Sequence, residues 1–133
     1  MSNLVRLGVI CMIAVPLYSG SYYVADDGDD SASGDVSHPW ETLQHAVDSV
    51  APGDTINVRS GVYYEKIDIS VSGDETGYVV LREAPGDTAV LDGTGVPNNS
   101  ASYTDDLIYI ENKDYIKIIG FELRNVETDE GSG

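Results

Sequence analysis

The sequence is poor in cysteine, in basic residues and in long apolar runs. Its 133 residues include one cysteine, Cys11, so no disulfide can form within the chain. Seven Lys and Arg residues stand against 23 Asp and Glu residues, which gives a formal net charge of −16. Such a charge repels nucleic acid phosphates and anionic membrane headgroups, so neither is expected as a partner. The apolar run at residues 7–17 is too short to cross a bilayer, where roughly 20 residues are needed.

The first 21 residues have the order of an export signal. Arg6 gives a positive start, residues 7–17 are apolar, and Ser19-Gly20-Ser21 offers small residues for cleavage. We therefore expect residues 1–21 to be removed and the remainder to be secreted or displayed at the cell surface, without membrane contact. The alternative is an apolar N-terminal strand or anchor that is retained.

Residues 40–70 combine a helical pattern with a strand pattern. Apolar residues recur at helical spacing at Trp40, Leu43, Ala46, Val47 and Val50. This spacing predicts a short amphipathic helix, which the turn residues at 52–54 bring to an end. The period then changes from 3.6 to 2, as in short strands. One helix followed by many short strands indicates a helix that caps the end of a strand stack.

Two interleaved series of short apolar segments follow the helix. The first series comprises residues 56–58, 79–81 and 108–110, and the second comprises residues 67–69, 89–91 and 116–118. Segments within a series recur after intervals in the twenties, which is typical of a parallel β-helix. The polar loop at residues 94–106 accounts for the longer last interval. We therefore predict an all-β coil of about two to three rungs over residues 22–133.

Several stretches together resemble a known group of proteins. They are the helix followed by PGDTI and GVYYE within residues 40–65, then REAPGD at 82–87, VLDG at 90–93 and YIKIIGFELRN at 115–125. In this order they resemble the N-terminal part of secreted right-handed parallel β-helix proteins. That group includes pectate lyases of the family-nine type, the alginate lyase and chondroitinase B type, and other carbohydrate-active or surface proteins. The resemblance implies a right-handed parallel β-helix with an N-terminal capping α-helix.

The same resemblance implies a polysaccharide lyase that acts on acidic glycans by β-elimination. In such lyases a basic residue abstracts the proton beside the uronate carboxylate and calcium neutralises that carboxylate, on later rungs of the coil. No catalytic residue is therefore assigned, and this chain alone is expected to be an inactive N-terminal fragment. The alternative function is a non-catalytic surface or adhesive scaffold. An open last rung would also allow self-association with another copy.

Two sets of residues are candidates for binding. Arg59, Lys66 and Lys117 should point away from the core of the strands and form a basic strip for an acidic sugar. Without such a strip, or calcium, the acidic surface would repel a polyuronate. The alternative is that these three cations pair with the many surface acids.

The second set is a group of carboxylates in the loop before the helix. Asp26, Asp27, Asp29 and Asp30 surround Gly28, and their oxygens are of the kind that hold calcium. The spacing lacks the closing Glu of a 12-residue calcium loop. The alternative is a surface turn in which short polar side chains bond their own backbone.

Overall fold

The computed structural model describes residues 19–97 and 106–126. The predicted signal segment up to residue 18 and the loop at residues 98–105 lie outside this part of the chain. The elements in the described residues are β1 (Ser21–Val24), α1 (Leu43–Ser49), β2 (Thr55–Val58), β3 (Gly61–Tyr63), β4 (Ile67–Asp68), β5 (Val79–Glu83), β6 (Ala89–Asp92), β7 (Ile108–Tyr109), β8 (Ile116–Ile119) and β9 (Glu122–Arg124).

All strand ladders are parallel, and they form three sheets. The first sheet has the order β1-β2-β5-β8, the second β3-β6-β9 and the third β4-β7. The chain visits the three sheets in rotation, so that β2, β3 and β4 make one rung and β5, β6 and β7 make the next. Strands β8 and β9 begin the rung after that. This rotation is the topology of a parallel β-helix, and the predicted fold class is confirmed.

The predicted grouping of the strands into two series is wrong in detail, because the described strands fall into three sheets. Residues 108–110 do not continue the series of 56–58 and 79–81. Instead β7 pairs with β4, and β8 continues the first sheet. Likewise β6 lies on β3, a strand of three residues that the apolar pattern did not single out. The segment from β6 to β7 is longer than the corresponding segment from β3 to β4. Because of this difference, the apolar segments of the last rung were assigned to the wrong series.

The helix α1 begins at Leu43, three residues later than the apolar spacing predicted. Thr42 is the N-cap, and its side chain accepts a hydrogen bond from the His45 N–H. Trp40 precedes the helix and forms a bridge with Val24, while its ring is buried and stacks on Tyr22. The helix buries apolar side chains against the coil, so its predicted role as a cap on the first rung is confirmed.

The core is a column of inward side chains from successive rungs of the coil, and a strand can contribute more than one of them. Ile56, Val58, Leu81 and Leu91 are at most 2% exposed. Burial of such a side chain contributes roughly 1.5 to 3 kcal/mol. Leu123 lies on Leu91 but is 51% exposed, because no described strand covers its other side. Self-association through this rung stays a prediction.

No helix in the described ranges is both long and apolar enough to cross a membrane.

Candidate functional site

One face of the first sheet combines cations with aromatic rings and has no acidic side chain. Alternation along each strand sends Ile56, Val58 and Leu81 into the core, so the residues between them point outward. We call this surface the first-sheet face; its side chains are Ser21, Tyr23, Thr55, Asn57, Val80, Arg82, Lys117 and Ile119, together with Arg59 just after β2. In a chain with 23 acids and seven bases, a surface with three cations and no acid is a marked local reversal of charge.

Aromatic rings lie against the two outer cations of this face. The Arg59 guanidinium carbon lies 5.5 Å from the centre of the Tyr23 ring, and Arg59 Nη2 donates to the Val36 carbonyl. The Lys117 ammonium lies 4.3 Å from the centre of the Tyr78 ring, a cation–π contact. These contacts hold the charged ends near the sheet surface.

A chain of polar contacts crosses the middle of the face. Arg82 Nε donates to Asn57 Oδ1 at 2.8 Å. Asn57 Nδ2 donates to Ser21 Oγ at 3.0 Å and to the Tyr22 carbonyl at 3.1 Å. Asn57 is buried, and these bonds satisfy its amide. The bond to Asn57 holds the guanidinium group of Arg82 at its Nε atom. Among the described residues, the network engages no other guanidinium donor of Arg82.

The structure brings together two of the three predicted strip residues. Arg59 and Lys117 belong to the first-sheet face, whereas Lys66 precedes β4 in the third sheet. Arg82 also lies on the first-sheet face, although the sequence did not single it out as a binding candidate. Its alternation with Leu81 was visible in the sequence, but its position beside Asn57 depends on the pairing register of β2 and β5.

The four aspartates before the helix do not converge on one point. Asp29 accepts from the Ser31 N–H at 2.8 Å and from Ser31 Oγ at 2.6 Å, and these bonds lower the pKa of its carboxyl. Asp30 instead accepts from the N–H groups of Glu41 and Thr42, both at 2.9 Å. Within residues 19–97 and 106–126, no group of three or more His, Cys, Asp or Glu side chains is arranged to hold a metal ion.

This loop therefore does not fit a calcium ion, and no step of a reaction is assigned to calcium here. The bonds of Asp29 are those of the alternative interpretation, a turn that bonds its own backbone, whereas Asp30 bonds the backbone before the helix, at Glu41 and Thr42.

A second polar surface lies beside the start of α1. It is a cavity of about 220 Å³, here called the helix-side hollow, lined by Asp26, Glu41, Thr42, Val62, Tyr63, Tyr64 and Glu65. The Glu65 carboxylate accepts from the N–H groups of Leu43 at 2.9 Å and Gln44 at 3.2 Å. Burial raises the pKa of Glu65, and the two N–H bonds oppose that rise. Glu65 thus ties the first turn of the helix to the coil.

A model of one protein family matches this chain from residue 22 to residue 133; its description is Pel9A-like, right-handed β-helix region. The chain belongs to the Pel9A-like right-handed β-helix family. The resemblance found in the sequence is thereby confirmed, together with the handedness of the coil.

Two curated relatives match most of the described chain. The uncharacterized protein YwoF of Bacillus subtilis is 34% identical over 109 residues, which cover 81% of this chain and 23% of YwoF. Pectate lyase PEL9 of Emericella nidulans is 32% identical over 112 residues, which cover 77% of this chain and 27% of PEL9. The Pel9A-like chain therefore spans about a quarter of the length of these relatives.

A solved structure of a rhamnogalacturonan lyase shares the fold. It superposes with a TM-score of 0.62 at 18% sequence identity, over 79% of this chain and 28% of the lyase. At that identity the likeness concerns the fold alone.

Proposed function

We propose that this Pel9A-like chain is the N-terminal portion of an exported lyase that cleaves an acidic polysaccharide by β-elimination. The observation that carries the proposal is the family match over residues 22–133, and the separate 32% identity to pectate lyase PEL9 over 112 residues supports it. The portion described here supplies the helical cap and the first rungs of the coil.

The proposed reaction has simple requirements. A base takes the proton on the carbon beside the uronate carboxylate, the glycosidic carbon–oxygen bond on the next carbon breaks, and a carbon–carbon double bond forms. The leaving oxygen takes up a proton. The described residues are assigned no role as that base. Their part is to provide a rigid frame, because α1 and the buried column under the first sheet fix the start of the coil.

The proposal is tested on the full-length parent protein. Polygalacturonate, alginate and a glycosaminoglycan are each incubated with the parent, and the ultraviolet absorbance of the unsaturated uronate product is followed. We expect product from at least one acidic glycan and none when residues 1–133 are used alone. Absence of product from all three glycans would contradict the lyase proposal. A parent that binds such a glycan without cleaving it would support the scaffold alternative instead.

Export is the second part of the proposal, and the fold bears on the cleavage point. The Gly20 N–H donates to Asp54 Oδ1 at 2.7 Å, and the Gly20 carbonyl accepts from Thr55 at 2.9 Å. Ser21 is the first residue of β1. Cleavage after residue 21, as the small residues suggested, would remove these contacts. We therefore propose that cleavage occurs on the N-terminal side of Gly20.

The mass of the protein recovered from the culture medium tests this placement. A mature chain that begins at or before Gly20 and lacks the apolar run is expected. A mature chain that begins at Tyr22, or one that retains residue 1, would contradict it.

A further inference from the structure

The cations of the first-sheet face lie on one diagonal line across the strands. Lys117 lies opposite Val80, so Arg82 stands two residues further along the neighbouring strand. Arg82 in turn lies opposite Asn57, and Arg59 stands two residues beyond Asn57. Each step is one strand across and two residues along, which is about 8 Å between backbone positions. The backbone positions of the three cations therefore span about 16 Å.

Exposed aromatic rings extend the line at the Lys117 end. Tyr78 is 43% exposed and Tyr115 is 41% exposed, and their rings meet edge-on with centroids 5.5 Å apart. An exposed tyrosine face is an apolar surface on which a sugar ring can stack, while its hydroxyl remains available for hydrogen bonds. Charge and aromatic surface thus occur side by side on this face.

We propose that the first-sheet face binds an acidic polysaccharide chain along the diagonal from Arg59 through Arg82 to Lys117. The inference rests on the proposed function for the choice of a polysaccharide, and on the face itself for the acidic class. Guanidinium groups suit carboxylates because their planar donors can form paired hydrogen bonds.

The negative net charge of the chain favours binding of an anionic polymer of low charge density over one of high charge density. Double-stranded DNA carries one charge per roughly 1.7 Å, and a chain of net charge −16 repels so dense a polyanion. A glycan with one carboxylate on each acidic sugar has a lower charge density. It can place a carboxylate near each cation of the diagonal and leave its sugar rings for the tyrosines.

The test compares charge removal on the face with the same charge removal elsewhere. Arg82→Gln and Lys117→Gln each remove one positive charge from the diagonal, and Lys66→Gln removes one from the third sheet. The dissociation constant of the full 133-residue chain for an oligogalacturonate is measured by titration calorimetry at low salt. We expect each face variant to weaken binding about fivefold, because a charge-assisted hydrogen bond is lost. Lys66→Gln should weaken binding less than twofold.

Two further ligands serve as controls for the binding measurement. A neutral glucan oligomer of equal length and a DNA duplex should both bind far more weakly than the oligogalacturonate. Equal weakening by Lys66→Gln and Arg82→Gln would overturn the inference, since it would indicate a general charge effect. DNA binding that depends on Arg82 would overturn the assignment to a polysaccharide.

The inference and the lyase proposal can fail separately. If the parent releases unsaturated uronate but Arg82→Gln and Lys117→Gln leave binding unchanged, the face does not bind the glycan although the lyase function stands. If the parent releases no product but both face variants weaken binding, the face is confirmed and the scaffold function replaces the lyase. Lys117 is exposed, so the Lys117→Gln result does not depend on a change in folding.

Discussion

The first-sheet face and the helix-side hollow are both polar surfaces, but they use their charges in opposite ways. In the hollow, Glu65 bonds backbone N–H groups at the start of α1, as does Asp30 nearby. On the face, the backbone is already paired in the strand ladders, and the contacts of Arg82 and Lys117 within residues 19–97 and 106–126 are with the side chains of Asn57 and Tyr78. The acids near the helix bond the backbone and stabilise the fold, whereas the cations of the face are the groups that we propose bind a glycan.

The largest effect should come from removing the Glu65 carboxylate. Glu65→Ala leaves the N–H groups of Leu43 and Gln44 without their acceptor, so we expect the free energy of unfolding to fall by about 2 kcal/mol. Urea denaturation measures this change, and an unaltered m-value would show that unfolding remains two-state. Glu75→Ala, at an exposed turn position, is the control and should change stability by less than about 0.5 kcal/mol. Equal effects of the two variants would contradict a structural role for the hollow.

A smaller loss is expected at Asp30. Asp30→Ala removes the acceptor for the N–H groups of Glu41 and Thr42, and the loss of such a cap costs about 1 kcal/mol. Asp30→Asn keeps one side-chain oxygen and should recover part of the loss. The same urea experiment distinguishes the variants. No recovery in Asp30→Asn would mean that the charge, rather than the hydrogen bonds, supports the helix start.

The pH dependence of stability should reveal a third acid with a structural role. Hydrogen bonds from Ser33 Oγ and the Ser37 N–H lower the pKa of Asp35 to about 2 from an ordinary value of 3.8. A carboxyl whose pKa is lower in the folded state stabilises the protein above the unfolded-state value, and this contribution disappears as the pH falls through the folded-state value. The wild type should therefore exceed Asp35→Asn in stability at pH 6, and the difference should shrink between about pH 4 and pH 2. Urea midpoints measured across this range test the expectation, which a constant difference would contradict.

The smallest stability effect is expected on the first-sheet face. Lys117→Gln removes an exposed cation whose contact with Tyr78 is worth little to folding, so the free energy of unfolding should change by less than about 0.5 kcal/mol. Thermal or urea unfolding of the variant measures this change. A loss of 2 kcal/mol, equal to that of Glu65→Ala, would remove the contrast between the two surfaces.

Local patterns in the sequence were sufficient for the fold class and for most of the elements, although β3 was missed. The spacing of Leu43, Ala46 and Val47 predicted the cap, and the alternation at residues 56–58 and 79–81 predicted strands of the first sheet. These signals are local, because side-chain period follows from backbone geometry. The family resemblance supplied the handedness of the coil.

The arrangement of the site could not be predicted from local pattern. The position of Arg82 beside Asn57, and the separation of Lys66 from Arg59, depend on which strands pair and in what register. That register depends on corner and loop lengths between strands, which carry no apolar period. The role of Glu65 was equally hidden, since it bonds the N–H of a residue 22 positions earlier in the chain.

The most direct test of the account is to map the glycan onto the chain by NMR. Amide chemical shifts of the nitrogen-15-labelled full chain are followed during titration with an oligogalacturonate. The largest shifts are expected at Asn57, Val80, Arg82 and Lys117 on the first-sheet face, with little change at Thr42 and Glu65. Shifts centred on the helix-side hollow, or no shifts on the first-sheet face at saturating glycan, would contradict it.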